Sequence, residues 1–183
     1  MTISPNAPLR LPLQIAVPGA QAMRDLGRSL AAFLRAGDLL ILSGPLGAGK
    51  TTLTQGIADG LGVRGPVTSP TFVIARVHPP LASSESSPSL VHADAYRLGS
   101  ALELDDLDLD ADLGRSVTVV EWGEGRAEGL SGDRLEIVIS RGHGSGGEED
   151  GGDGDAPRVV SVTGVGSRWQ DAQMPYANGA NRL

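Results

Sequence analysis

The chain has 183 residues, no cysteine and a formal net charge of −7, with a sequence pI near 4.9. Without thiols there is no disulfide framework, no thiol catalysis and no cysteine-based zinc site, a composition that suits a reducing compartment. The acidic balance argues against a chain that grips nucleic acid by itself, because that binding depends on clustered cations neutralising phosphates. No direct DNA binding is therefore expected, and any contact with RNA is expected only through a partner.

The length suits one domain, and alternating strand and helix patterns predict an α/β fold. No apolar run approaches the roughly 18 residues of a membrane span, and the first residues lack the charged-then-apolar design of a secretory signal. A cytoplasmic protein without membrane contact is the expectation.

Residues 1–12 carry three prolines and no hydrophobic period, which predicts a disordered leader. Leu13 to Val17 reads as a short apolar strand. Gly19 to Arg35 reads as an amphipathic helix with Met23, Leu26, Leu30 and Phe33 on one face, ended by Gly37. Asp38 to Ser43 contains four consecutive apolar residues and predicts a buried strand, and Thr52 to Leu61 places Leu53, Ile57 and Leu61 at helical spacing.

Between that strand and that helix stands G-P-L-G-A-G-K-T-T, Gly44 to Thr52. The spacing G-x-x-x-x-G-K-[ST] is that of the Walker A phosphate loop, in its required strand–loop–helix setting. Glycines at 44, 47 and 49 allow backbone angles closed to other residues, so that amides of the loop, with Pro45, Leu46 and Ala48 between them, can turn toward an anion. The loop opens a helix whose positive end also faces that anion. Lys50 is placed to reach the outer phosphates, and the Thr51 hydroxyl to ligate the Mg²⁺ that accompanies a nucleoside triphosphate such as ATP. Lys50 is also the single lysine of the chain, all other cations being arginine. A compact ammonium and a planar guanidinium are not interchangeable in a tight phosphate cradle.

Further along, V-T-S-P-T-F, Val67 to Phe72, is a hydroxyl-rich turn feeding a strand over Val73 to Val77. Ser69 and Thr71 can sense a γ-phosphate or metal there, or the segment can be an ordinary turn punctuated by proline. Pro79 to Pro88 reads as an exposed hairpin loop. In L-V-H-A-D-A-Y-R-L an extended chain puts His92, Asp94 and Tyr96 on one face and small apolar residues on the other. That pattern suits a strand end lining a cleft; a metal site of His92 with Asp94 lacks an evident third ligand. Ala101 to Leu113 mixes acids with leucines and predicts a short acidic helix, lacking the glycine and glutamate positions of a calcium loop. Ser116 to Trp122 is a strongly apolar strand ending in Glu121, in the position where phosphate-loop proteins carry the acid that helps hold magnesium. Leu135 to Ser140 and Val159 to Val162 predict a hairpin, joined by a low-complexity acidic connector over Gly142 to Pro157. After Trp169 the pattern fades, predicting a disordered tail over 170–183.

G-P-L-G-A-G-K-T-T, T-S-P-T-F, H-A-D-A-Y-R-L and V-V-E-W, in this order and spacing, resemble the bacterial TsaE (YjeE) family from about Leu13 to Trp169. The resemblance implies a single P-loop NTPase domain over 13–169 with a mostly parallel central sheet, helices on both faces and a C-terminal β-hairpin. It further implies a Mg²⁺-dependent ATPase of the pathway that makes threonylcarbamoyladenosine (t6A) in tRNA. Members of the family support a complex of TsaD and TsaB, and such an ATPase is expected to be slow alone and stimulated by its partners. Carried onto this sequence, Lys50, Thr51 and Thr52 belong to the phosphate loop, Ser69 and Thr71 to a switch-like loop, Asp94 positions or deprotonates the attacking water, and Glu121 is the metal-linked acid. Pro45 stands where the family often has Asp, and Gly123 where Pro usually follows the Trp. Two alternatives stay open from the residues alone: a small-molecule or nucleotide kinase, which shares the loop, and a nucleotide-gated binding module in which hydrolysis is incidental.

Overall fold

Five consecutive buried residues, Leu39–Ser43, form strand β3 at the middle of the molecule, and their lack of alternation reflects a strand covered on both faces. The computed structural model describes residues 9–70, 74–81, 87–96, 113–141, 157–174 and 181–182. The expected acidic helix over 101–113 and the connector 142–157 fall almost entirely outside them.

The elements in chain order are β1 (Leu9–Arg10), β2 (Leu13–Val17), α1 (Ala20–Ala31), β3, α2 (Lys50–Leu61), β4 (Ala75–His78), β5 (Ser89–Asp94) and β6 (Ser116–Glu121). A 3₁₀ turn (Glu128–Leu130), β7 (Arg134–Arg141), β8 (Arg158–Val165), β9 (Gln173–Met174) and β10 (Asn181–Arg182) complete them. Eight strands make one sheet in the order β10-β2-β8-β7-β3-β6-β5-β4, while β1 pairs with β9 alone. Both ends of the chain, which show no pattern in the sequence, thus contribute two-residue pairings.

The sheet is mixed rather than mostly parallel. β7, β3, β6 and β5 run parallel, whereas β4 joins β5 and the run β7-β8-β2-β10 joins β7 in antiparallel fashion. The reason is local: the C-terminal hairpin expected from the sequence is present as β7 and β8, and it carries β2 on its outer side. Burial follows the same division. β3 and β6 are buried throughout, whereas β7 and β8 alternate over most of their length, as antiparallel strands with one solvated face do.

Helices on both faces are not what the described residues show. Met23, Leu26 and Leu30 of α1 and Leu53 and Ile57 of α2 join Leu40, Leu42, Val117 and Val119 in one core layer. The opposite layer, with Leu39, Ile41, Val91, Ala93 and Val120, is closed by Ala127 and Leu130 around the 3₁₀ turn. The twelve-residue passage from β6 to β7 crosses β3 with only the 3₁₀ turn in place of a full helix. α1 and α2 pack closely because α2 has Gly56 against the backbone of Arg24, where a Cβ would collide with the Arg24 carbonyl.

Candidate functional site

Register brings three strand ends to one level. Asp94, the last residue of β5, lies opposite Glu121, the last of β6, and Glu121 lies opposite Leu42 of β3. The 44–49 loop leaves β3 one residue later, so both carboxylates and the loop share the carboxyl edge of the parallel strands, where open α/β sheets bind ligands.

Gly44, Gly47 and Gly49 of the loop all have positive φ, as the sequence predicts. Gly44 has φ of 146° and lies so close to β7 that a Cβ would meet the Ile139 carbonyl; Gly49 has φ of 106° immediately before α2. Leu53 N–H donates to the Gly49 carbonyl at 2.9 Å, which starts the helix at once. The first amides of an α-helix have no intrahelical acceptors, and its dipole is positive there, so this end of α2 favours an anion.

Lys50, the first helical residue, is buried and donates from Nζ to the carbonyls of Gly44 at 2.7 Å and Pro45 at 3.0 Å. Its ammonium lies 3.7 Å from the centroid of the Trp122 ring. Burial pushes the Lys50 ammonium below its ordinary pKa of 10.5, and the nearby Glu121 and Asp94 carboxylates partly offset this by raising it. A lysine so desolvated gains from an added negative charge.

Glu121 is 3% exposed. It accepts from Thr51 Oγ1 at 2.9 Å (Oε1) and 3.2 Å (Oε2), and Oε1 lies 2.8 Å from Nε2 of the buried His92. Asp94 accepts from Ser69 Oγ at 3.2 Å and from the Tyr96 backbone N–H at 2.9 Å. Leu46 to Thr52, Ser69, Asp94, Tyr96, Glu121 and Trp122 line one cavity of about 520 Å³. The Thr51 hydroxyl and the Glu121 carboxylate are hard oxygen donors within reach of one another. No group of three or more His, Cys, Asp or Glu side chains converges here or elsewhere among the described residues. Two protein oxygens beside an anion pocket suit a small hard dication that keeps water and phosphate oxygens as its other ligands.

Of the residues singled out in the sequence, Leu46, Gly47, Ala48, Gly49, Lys50, Thr51, Thr52, Ser69, Asp94 and Glu121 are together in this cavity. Gly44 and Pro45 border it through the carbonyls that hold Lys50. Thr71 falls outside the described residues. Three contacts were not anticipated. His92 bonds Glu121, although alternation had placed it on the correct face. Trp122, held at φ 59°, covers Lys50 and packs 5.0 Å from Tyr96. Buried Arg158 donates to the Gly47 carbonyl at 3.3 Å; directly after an acidic connector, it gives no sequence signal of that reach.

The family model described as threonylcarbamoyl adenosine biosynthesis protein TsaE matches residues 17–148. A Streptomyces coelicolor protein named tRNA threonylcarbamoyladenosine biosynthesis protein TsaE is 58% identical over 158 residues, covering 86% of this chain and all of that one. A Bacillus subtilis protein of the same name is 39% identical over 148 residues, 80% of this chain and 82% of its own. Among solved structures, the crystal structure of Bacillus subtilis YdiB superposes with a TM-score of 0.62 at 34% identity, covering 86% of this chain and 88% of that one. A family model matched over most of the chain, relatives matched over four fifths or more of their length and a shared fold agree: this chain belongs to the TsaE family.

Proposed function

We propose that this chain is an ATP-binding and ATP-hydrolysing accessory subunit of tRNA t6A modification, acting in the cytoplasm in support of a TsaD–TsaB complex and meeting tRNA only through that complex. Its membership in a family named for threonylcarbamoyladenosine biosynthesis supports the pathway. No helix among the described residues is long and apolar enough to cross a membrane.

The observation that carries the ATPase reading is the convergence of Lys50, Thr51, Asp94 and Glu121 on one cavity at the start of α2. Phosphoryl transfer asks a protein mainly for positioning and charge stabilisation. The amides opening α2 and the Lys50 ammonium bind the outer phosphates. Magnesium, when bound, would be held by the Thr51 hydroxyl and linked to Glu121, and would neutralise charge developing on the phosphates. Asp94, fixed by Ser69 and the Tyr96 amide, orients the attacking water. The domain boundaries expected from the sequence, 13–169 with ends on either side, belong to the same proposal.

Reconstituted t6A synthesis with TsaD and TsaB tests this reading. Lys50→Ala and Asp94→Ala are each expected to stop product formation under conditions where the parent chain sustains many turnovers, and full activity in both variants would refute the assignment. Phosphate release without a phosphorylated acceptor separates an ATPase from a kinase. Failure of a non-hydrolysable analogue to sustain turnover separates it from a nucleotide-gated binding module.

A further inference from the structure

We propose that His92 is a positioning residue that holds Glu121 in the orientation the metal site needs; this rests on reading the cavity as a magnesium–nucleotide site. His92 lies in β5 two residues before Asp94, so both side chains point to the same face of the strand. The parallel register sets Asp94 level with Glu121 and His92 level with Val119, one step below the carboxylate. From there the imidazole, fully buried, reaches up with Nε2 to 2.8 Å from Glu121 Oε1.

The proton arrangement follows from the partner. An imidazole nitrogen facing a carboxylate carries the hydrogen and donates it. Nδ1 is buried and has no hydrogen-bond partner among the described residues. The ring therefore contributes one polar contact, to Glu121, while leaving its other nitrogen unsatisfied. Burying an unpaired polar atom is unfavourable, and an apolar side chain would fill the same space without that cost, as Leu90 does two residues earlier on the same face. What the imidazole adds is a fixed donor to the glutamate that also accepts from Thr51. Glu121 is thereby held between two donors on opposite elements, α2 and β5, and its rotamer is set before any ligand arrives. Losing a group that orients a metal-site ligand in this way typically costs about 10- to 100-fold in metal affinity or activity.

The test uses the full-length protein with Mn²⁺ as the probe, titrated by electron paramagnetic resonance in the presence of ADP. In His92→Asn the amide nitrogen replaces Nδ1 and stops short of Glu121, whereas in His92→Gln it reaches the place of Nε2. The Asn variant is expected to lose about 10- to 100-fold in apparent Mn²⁺ affinity and the Gln variant no more than about threefold, with metal-free ADP binding unchanged in both. Equal titrations for the two variants, or a parent-like titration for His92→Asn, overturn the proposal while leaving the nucleotide site intact. A parent protein that binds no Mn²⁺–ADP overturns the site reading and this proposal with it. A second measurement needs no variant. The His92 Nε2–H signal in nitrogen-15 NMR should shift when Mg²⁺ is added to the ADP complex, and an unmoved signal at Mg²⁺ saturation overturns the proposal.

Discussion

The two ends of β3 treat charge in opposite ways. At the amino end, Asp38 is buried and enclosed by Arg168, whose Nε and Nη2 each lie 3.2 Å from a carboxylate oxygen. The Arg35 amide adds a bond at 2.9 Å, while Arg168 also donates to the Phe33 carbonyl at 2.8 Å and lies over the Trp169 ring. Charge there is closed directly by charge. At the carboxyl end, Lys50 donates to two loop carbonyls, and Glu121 accepts from a hydroxyl and an imidazole. The cation and the acid stand close enough to influence one another, yet each hydrogen-bonds other groups rather than its counterpart. A neutral partner is exchanged for a ligand at a cost of about 1 kcal/mol, whereas removing one member of a buried ion pair costs about 3–5 kcal/mol. One end is built to stay closed and the other to be reorganised by an anion and a cation.

Exchanging the phenotypes of the two ends would break this contrast. Lys50→Ala is expected to lower phosphate release at least about 10²-fold, the scale of losing one preorganised donor at a transferring group. It should leave the folded population intact, as read by circular dichroism. Arg168→Ala is expected to do the reverse: it leaves Asp38 buried without its counter-charge and costs about 3 kcal/mol in urea unfolding, while ADP affinity stays at the parent value. If Arg168→Ala silenced nucleotide binding and left stability unchanged, the amino end would belong to the site.

The carboxyl end was largely legible in the sequence, and the amino end was not. A phosphate loop must be contiguous, so its glycines, Lys50 and Thr51 are readable as a string, and Glu121 is marked by the apolar run it terminates. Strand β2 spans Leu13–Val17, as its composition predicts. α1 stops at Ala31 rather than Arg35 because Phe33 and Leu34 bond back only three residues. This tightening turns Leu34 into the core and leaves Phe33 partly exposed. Val73, the expected start of the strand, falls outside the described residues; β4 begins at Ala75, after Ile74, which adopts φ of 70° and whose amide closes a turn onto Pro70. Such a conformation is disfavoured for a β-branched residue and has no local signal. The pairs Asp38–Arg168 and Gly47–Arg158 join positions more than a hundred residues apart. Nothing in a sequence pattern of period two or 3.6 specifies them.

A smaller effect tests whether the carboxyl end depends on how the helices are stacked. α2 starts at the phosphate loop, and its Gly56 touches the α1 backbone at Arg24. Gly56→Ala gains helix propensity but forces the two helices apart, with an expected net loss of about 1–3 kcal/mol. Because Lys50 and Thr51 ride on the same helix, ADP affinity should fall alongside stability, measured by calorimetry on the folded variant. A destabilised variant with parent-like ADP binding would show that the loop is positioned by β3 and β7 alone.

The smallest expected effect concerns acid, and it falls at neither end of β3. His78 of β4 is buried, and its Nδ1 lies 3.2 Å from the Arg64 carbonyl, tying the edge strand to the segment after α2. Burial is the main force holding its pKa below the ordinary 6.5; the Arg64 carbonyl acts in the opposite sense, and His92 and Arg76 lower it further. Because the folded value is the lower one, the unfolded chain binds more protons as the pH falls below 6.5, and stability is lost over that interval. His78→Asn places an amide nitrogen where Nδ1 stands and retains the bond to Arg64 without a titrating group. Its melting temperature should therefore decline less between pH 7 and pH 5 than that of the parent. Parallel declines would show that His78 does not carry the acid sensitivity and that the edge strand is not the pH-sensitive part of the sheet.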